Sequence, residues 1–356
     1  MRRPAIAALL AASFLVLLWF VSLRQAVLLL VGAGMGATLA GTRFGFTTGW
    51  RRLVVARDAS GVFGQILLLA VAAAIAIPLL ARFPELNAAL GPPSVSLVVG
   101  AFVFGLTMQI ADGCGSGTLY KAGMGVPLSM AILPLFALGS FLGAEHLDLW
   151  LELPSVAPVG LVAVLGPGGA LAATLAGLAV VGLLARWRAA GSARALERRW
   201  VVGALALALL AAANLVIAGQ PWGVVYGFGL WTAKLAQAAG LLDPATSSFW
   251  SLPGNARILT QSVLLDVTTI TNLGVFAGAL WFADDKAPAA PLTAAQWAAG
   301  LVAGLLMGYS SRLAFGCNVG AMVSGISTGS LHGWIWVAMA FSGTLVGIRL
   351  RHRLGL

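Results

Sequence analysis

Gly113-Cys114-Gly115-Ser116-Gly117 is a glycine-rich stretch in an otherwise apolar region, and it recurs downstream as Gly316-Cys317-Asn318-Val319-Gly320. The two stretches contain the only cysteines of the chain. The segments 105–117 and 308–320 have equal length, with glycine at their first, ninth and thirteenth positions and cysteine at the tenth, which indicates an internal repeat. A glycine-rich break in an apolar segment is costly in lipid unless it lines a cavity or meets protein partners. Two breaks in corresponding positions therefore predict a binding site.

The composition predicts an integral membrane protein. Hydrophobic residues make up 60% of the chain and charged residues only 9%, whereas soluble proteins carry about 25% charge. The apolar runs are long enough for membrane helices, and no ten-residue alternating strands occur. The expected fold is an all-α polytopic membrane protein. The formal charge of +10 comes from arginines between apolar runs, which favours topology signals over nucleic-acid binding.

The residues that usually hold metals or nucleotides are too few for such a site. Two cysteines cannot complete a tetrahedral zinc site, and His146, His332 and His352 lack metal-binding neighbours. No phosphate-binding G-x-x-x-x-G-K-[ST] loop is present. We therefore expect no metal and no cofactor.

Ten apolar runs predict ten membrane spans. They lie near 5–23, 26–42, 61–80, 95–111, 127–144, 160–185, 200–218, 258–282, 296–311 and 333–350. The first run lacks a signal-peptide cleavage site and is interpreted as a retained helix.

The basic residues predict the orientation of these spans. With both termini in the cytoplasm, the only lysines and arginines outside are Arg24, Arg82, Lys234, Arg257 and Arg312, and the rest of the 21 lie inside. Such a bias predicts cytoplasmic termini.

The same topology predicts that the two halves of the chain are inverted. We expect an extra N-terminal helix (1–25), a first repeat (26–150), a linking helix with a basic cytoplasmic connector (151–199) and a second repeat (200–356). The Cys114 break then opens toward the cytoplasm and the Cys317 break toward the outside. The interrupted, half-spanning helices would form an hourglass-like path with its waist at the midplane.

A second, fainter pair of segments fits this symmetry. Phe44-Gly45-Phe46-Thr47-Thr48-Gly49 follows the first span of one half, and Phe228-Gly229-Leu230-Trp231-Thr232-Ala233 follows the first span of the other. We expect both to be interrupted segments facing the path.

A thiol at a broken helix suits a small, soft anion. The free N–H groups and the dipole of the following helix attract anions, and a thiol is a weak S–H donor or, with a lowered pKa, a reactive thiolate. Glycine and buried cysteine also serve simple helix packing, an alternative that the recurrence in both halves disfavours. The candidate binding residues are Cys114, Cys317, Gly113, Gly115, Gly117, Gly316, Asn318, Gly320, Gly45, Thr47 and Thr48.

Charged residues near the spans are weaker candidates. Asp112 and Lys121 flank the first break and Arg312 precedes the second, but each could equally lie at the membrane interface. Asp266 is expected inside the span 258–282, as a cation site or as a structural partner of another polar group.

The paired Gly-Cys segments, with Arg43-Phe44-Gly45-Phe46-Thr47 ahead of Arg51, resemble the YeeE/YedE family of bacterial inner-membrane sulfur transporters, over about residues 26–350. The resemblance implies an hourglass fold, uptake of thiosulfate, passage of the ion from Cys317 inward to Cys114, and a cytoplasmic sulfur-carrier protein as a partner. Family members commonly carry a further cysteine where this chain has Gly45. Thr47 and Thr48 are expected to take its place, or the chain moves a related sulfur species.

Three functions from different classes remain open at this level. The first is a transporter or permease for a small sulfur-containing anion in the lipid bilayer, with thiosulfate as the first candidate. The second is a membrane thiol redox or sulfur-relay enzyme that uses the same two cysteines. The third is an assembly or scaffold subunit, which would have no polar cavity between its halves.

Overall fold

The computed structural model describes residues 2–189, 197–283 and 291–356, and this part of the chain is helical without any β-strand. Part of the predicted basic connector, residues 190–196, lies outside the described residues. The helices are α1 (Arg2–Phe20), α2 (Leu23–Thr42), α3 (Phe46–Ala56), α4 (Ser60–Arg82), α5 (Val95–Ile110), α6 (Gly115–Gly123), α7 (Pro127–Glu145), α8 (Leu147–Leu151), α9 (Leu161–Arg188), α10 (Arg198–Ala218), α11 (Val225–Ala238), α12 (Pro253–Thr260), α13 (Val267–Leu280), α14 (Ala294–Leu313) and α15 (Leu331–Arg353).

Nine helical stretches of the described chain are long and apolar enough to cross a membrane. They match nine of the ten predicted spans, so the prediction of an all-α, multi-pass membrane protein is confirmed. The tenth predicted span, 258–282, is wrong as a single helix. Its residues divide among α12, a 3₁₀ turn (Val263–Leu265) and α13.

Asp266 is the reason that the predicted span 258–282 is interrupted. Its backbone is extended, and its carboxylate accepts hydrogen bonds from the N–H and the Oγ1 of Thr269, both at 2.7 Å. This is N-cap geometry, in which a carboxylate satisfies the free donors of a new helix. Asp266 therefore begins α13, and the expectation that it lies inside a span is wrong.

Long helices from the two halves of the chain pack closely in pairs. Helix α2 packs on α13, α4 on α10, α5 on α15 and α7 on α14. The first glycine of each repeated segment makes this contact, since a Cβ on Gly105 would lie 1.9 Å from the Ala340 carbonyl oxygen and one on Gly308 would lie 2.1 Å from that of Phe136. Small residues allow such close approach between membrane helices.

The segments that connect the helices meet in two groups. In one group, Asn87 donates its N–H to the Gly219 carbonyl at 3.0 Å, and Leu161 donates to Gly329 at 2.7 Å. These contacts lie at one end of the bundle. In the other group, termed the basic face, Asp112 pairs with Arg51, Lys121 and Arg351.

Both ends of the chain contact segments near the basic face. The Arg3 guanidinium carbon lies 5.8 Å from the Trp281 ring centroid, just past the end of α13. The Gln296 amide, at the start of α14, donates to the Leu354 carbonyl at 3.2 Å. The two termini therefore share one end of the bundle.

Candidate functional site

The first Gly-Cys stretch interrupts the chain between α5 and α6. Asp112 adopts a left-handed conformation (φ 55°), which ends α5, and Cys114 then forms the N-cap of α6. The Cys114 sulfur accepts a hydrogen bond from the Gly117 N–H at 3.4 Å and lies 3.4 Å from the Ser116 hydroxyl. The thiol is buried and takes the place that Ser or Asp usually fills at a helix start.

The second stretch repeats this backbone with a different continuation. Phe315 has nearly the same left-handed φ (54°) as Asp112, and Cys317 again precedes the next helical segment. That segment, Asn318–Gly325, is a π-helix instead of the α-helix of the first half, a form that is frequent at functional sites. The buried Cys317 thiol forms no hydrogen bond with the part of the chain that the structure describes.

The two breaks meet in the interior of the bundle. A Cβ added to Gly115 would lie 3.3 Å from the Cys317 sulfur, so the second thiol rests against the residue that follows the first. Asn318 is fully buried beside them, and neither its Nδ2 nor its Oδ1 has a partner among the described residues. Both cysteines are free thiols.

A cavity of about 310 Å³ lies next to Cys317, and we call it the Cys317 cavity. Of the predicted residues, Gly316, Cys317 and Gly320 line it and Asn318 does not. A Cβ on Gly320 would meet nothing within 4 Å, so this glycine faces open space. The remaining lining residues are Leu90, Leu147, Gly223, Val224, Val225, Tyr226, Phe249, Ser311, Arg312 and Phe315.

The space next to Cys114 is far smaller, about 10 Å³, and we call it the Cys114 pocket. It brings most of the predicted residues of the first half together, while Gly115 lies outside it, against Cys317. This volume is about the least that a single water molecule needs, so the pocket is too small for an anion in the present conformation. The lining residues are Phe44, Gly45, Phe46, Thr47, Thr48, Asp112, Gly113, Cys114, Ser116, Gly117, Tyr120 and Lys121.

Asp112, which lines the Cys114 pocket, is held by ion pairs on the basic face. The Asp112 carboxylate lies 2.5 Å from Arg51, 2.6 Å from Lys121 and 3.4 Å from Arg351. Lys121 also donates to the Asp112 backbone carbonyl, and Arg351 donates to that of Gln109 at 2.9 Å. Asp112 thus connects α3, α6 and α15 through ion pairs. In the sequence, only its position beside the break indicated that it could have such a role.

The second, fainter pair of predicted interruptions is half correct. Gly45 is the extended N-cap residue of α3, as expected, and lines the Cys114 pocket. The segment 228–233 lies within the continuous helix α11, so an interruption there is wrong. The chain breaks earlier, at Gly219 (φ 70°) and Pro221, before α11 begins at Val225.

Sequence reasoning missed Tyr226 of the Cys317 cavity because it placed this break too late, and it also missed Phe249. Glycine and proline directly after an apolar run mark a helix end, and Gly219 and Pro221 carried that signal. Phe249 comes from the loop between α11 and α12, and no local pattern indicates its position.

Paired helix breaks that meet in the interior of a membrane bundle, below an open cavity, define the protein as a membrane transporter. The chain belongs to the sulphur transport family, whose model matches residues 41–346. The predicted YeeE/YedE membership is therefore confirmed, and so is the prediction of a transporter over an enzyme.

The chain is similar to proteins named as transporters or probable transporters. It is 25% identical over 256 residues to "Thiosulfate transporter TsuA" of Spirochaeta thermophila, covering 68% of this chain and 73% of the relative. It is 29% identical over 147 residues to "Probable transporter YedE" of Escherichia coli, covering 41% of this chain and 36% of the relative. The Salmonella typhimurium "Probable transporter YedE" matches at 29% over 149 residues, with the same coverage.

Proposed function

We propose that this protein imports a small sulfur-containing anion, with thiosulfate as the first candidate, across the bacterial inner membrane, and that Cys317 and Cys114 contact the ion in turn. Membership of the sulphur transport family supports the class of substrate, and the relative named as a thiosulfate transporter supports the particular ion.

One observation carries the proposal: the Cys317 thiol lines an open cavity and also rests against Gly115, the residue next to Cys114. An anion held at Cys317 is then one residue away from the second thiol. Both thiols are buried and free, and a neutral S–H is a weak donor. Weak donors suit transport, since an ion bound too tightly would not leave.

The orientation follows from the charges. The basic face carries Arg51, Lys121 and Arg351 and the neighbouring termini, and basic residues are enriched on the cytoplasmic side. We therefore infer that the Cys114 pocket opens to the cytoplasm and the Cys317 cavity to the opposite side. The present conformation is then open outward and closed inward.

The polar contacts near the breaks support two halves of opposite orientation. The Gln109 amide donates to the Thr47 carbonyl at 3.4 Å, and Arg312 donates to the Tyr226 carbonyl at the same distance. Gln109 and Arg312 occupy the same position of the repeated segment. We infer that residues 26–150 and 200–356 are inverted repeats, joined by 151–199, that frame an hourglass-like path.

Thr47 is proposed to act where the family commonly has a third cysteine. Gly45 brings no side chain to the Cys114 pocket, whereas the Thr47 hydroxyl lines it and has no hydrogen-bond partner among the described residues. A hydroxyl is a stronger donor than a thiol. The Thr47 hydroxyl can donate a hydrogen bond to an oxyanion that leaves Cys114.

Uptake of radiolabelled thiosulfate into cells that lack their own system tests the proposal. Cys317→Ala and Cys114→Ala should each lower the initial rate roughly tenfold, about the loss expected when one ion contact of about 1.4 kcal/mol disappears. Thr174→Val is the matched control, since Thr174 is fully buried in α9 with an unpartnered hydroxyl and lines neither site. Rates that stay at the wild-type level in both alanine variants would refute the role of the thiols.

A small cytoplasmic sulfur-carrier protein is proposed as the partner that receives the ion. The basic face, beside the Cys114 pocket, is where it would bind. Co-purification of a carrier with the wild-type protein in the presence of thiosulfate tests this prediction. Equal recovery with an unrelated membrane protein would contradict it.

A further inference from the structure

Arg312 is the only charged residue among the described residues that line the Cys317 cavity. It lies in the last turn of α14, and within the part of the chain that the structure describes no carboxylate lies within 4.0 Å of it. A cation without a nearby counter-ion inside a membrane bundle is costly, and intramembrane ionisable residues usually serve function.

The protein fixes this guanidinium in place without neutralising it. Its Nε donates to the Ser140 hydroxyl at 2.9 Å, and its Nη2 to the Tyr226 carbonyl at 3.4 Å. Its central carbon lies 5.1 Å from the Tyr226 ring centroid and 5.3 Å from that of Phe249. The Nη1 group donates to no described residue, so a guanidinium with five donors keeps some of them for a ligand.

Gln109, the corresponding residue of the first half, shows that anchoring the break does not require a positive charge. Gln109 donates to the Thr47 carbonyl at 3.4 Å and to the Thr344 hydroxyl at 3.5 Å. These contacts match those of Arg312 with Tyr226 and Ser140. A neutral amide is thus enough to anchor the break to the neighbouring helices, and structural anchoring does not explain the cation.

We propose that Arg312 and Cys317 form an anion-binding site at the outer entrance that selects small divalent anions with one oxyanion end and one sulfur end. The planar guanidinium donates paired N–H hydrogen bonds to the oxyanion oxygens, and the thiol faces the sulfur. The first half has Gln109 at the matching position, and Gln109 does not line the Cys114 pocket, so this arrangement of guanidinium and thiol belongs to the Cys317 cavity. This inference rests on the proposed function and adds the residue that determines its specificity.

Arg312→Gln tests the proposal with the side chain that the first half already uses at this position. The KM for thiosulfate uptake should rise roughly ten- to hundredfold, the range for losing a hydrogen bond to a charged group. Arg312→Lys keeps the charge but loses the planar fork, so its KM should rise only about threefold. Thr174→Val, which lies in neither the Cys317 cavity nor the Cys114 pocket, is the control and should leave the KM within about twofold of the wild type.

The decisive measurement is preference for ionic charge, which a purely structural role would not change. Competition by sulfite, mainly divalent at pH 8, is compared with competition by monovalent hydrosulfide, and calorimetry on purified protein gives thiosulfate binding directly. The wild type and Arg312→Lys should prefer the divalent ion, and Arg312→Gln should lose that preference. Retention of the preference in Arg312→Gln, or its loss in Arg312→Lys, would overturn the proposal, and Arg312→Lys decides it if Arg312→Gln does not reach the membrane.

The two proposals fail in different ways. Wild-type uptake with an unchanged KM in Arg312→Gln would refute the anion site and leave transport intact. Arg312-dependent binding of thiosulfate by purified protein that mediates no uptake would refute transport and leave the anion site intact.

Discussion

The Cys317 cavity and the Cys114 pocket lie beside breaks with a similar backbone turn, but they differ in their volume and in the side chains that line them. Asp112 and Phe315 have the same left-handed turn, each followed by glycine and by a cysteine at a helix start. Yet about 310 Å³ is open beside Cys317 and only about 10 Å³ beside Cys114.

Side chains at matching positions also differ between the two halves. In the second half the break carries Phe315 and is preceded by Arg312, whereas in the first half the corresponding residues are Asp112 and Gln109. The cation of the second half is left without a carboxylate partner among the described residues, while Asp112 gathers three basic residues over the Cys114 pocket. The same kind of turn thus lies beside an open cavity in one half and beside a small pocket with an ion-paired carboxylate in the other.

The point where the two breaks touch should be the most sensitive to added volume. Gly115→Val would place methyl groups against the Cys317 sulfur, which already lies 3.3 Å from an added Cβ. We expect thiosulfate uptake to fall below about a tenth of the wild-type rate, because overpacking of a close contact forces the thiol and its helix to shift.

Gly168→Val is the control for this substitution, because Gly168 is exposed on α9 and lines neither the Cys317 cavity nor the Cys114 pocket. A Cβ there meets nothing within 4 Å, so uptake should stay within about twofold of the wild-type rate. Equal losses in the two variants, at equal amounts of protein in the membrane, would contradict a special role of the contact between Gly115 and Cys317.

Much of the fold could be predicted from the sequence because membrane helices have a strong compositional signal. Nine apolar runs became helices of spanning length. The failure at 258–282 has a local cause, since the carboxylate of Asp266 caps α13 and a hydropathy average does not register one capping side chain among apolar neighbours.

The residues of the candidate site could be predicted where they belong to the repeated segment, but not where they come from other parts of the chain. Cys114 and Cys317 stood out because each lies at the same position of a repeated segment. Whether Arg312 would lie at the interface or in a cavity depends on the packing of α7, α11 and a distant loop, which local sequence does not encode. The same holds for Phe249 and for the partners of Asp112.

The ion pairs of Asp112 predict the effect of removing this carboxylate. Asp112→Asn leaves Arg51, Lys121 and Arg351 without their shared anion, so their mutual repulsion favours opening of the Cys114 pocket. Labelling of Cys114 by a membrane-impermeant thiol reagent, applied to inside-out vesicles in a Cys317→Ala background, should become several-fold faster.

Asp58→Asn is the control for this experiment. Asp58 pairs with Arg52 at 2.5 Å, in the segment between α3 and α4, and does not line the Cys114 pocket. Its loss should leave the labelling rate of Cys114 unchanged. Similar acceleration in the two variants would mean that general loosening, and not the Asp112 cluster, exposes the thiol.

The smallest effect is expected from restoring a thiol to the Cys114 pocket, because an S–H group is a weak donor. Gly45 has an extended backbone (φ −121°, ψ 120°) that any residue can adopt, and an added Cβ would lie 3.1 Å from the Thr48 hydroxyl, which must shift slightly. Gly45→Cys should change wild-type uptake by no more than about threefold, but in the Cys114→Ala background it should restore part of the lost rate. Gly45→Ala in that background controls for volume. Equal rates in the Gly45→Cys and Gly45→Ala variants would show that the closed side needs its thiol at position 114 alone, and would separate it further from the Cys317 cavity.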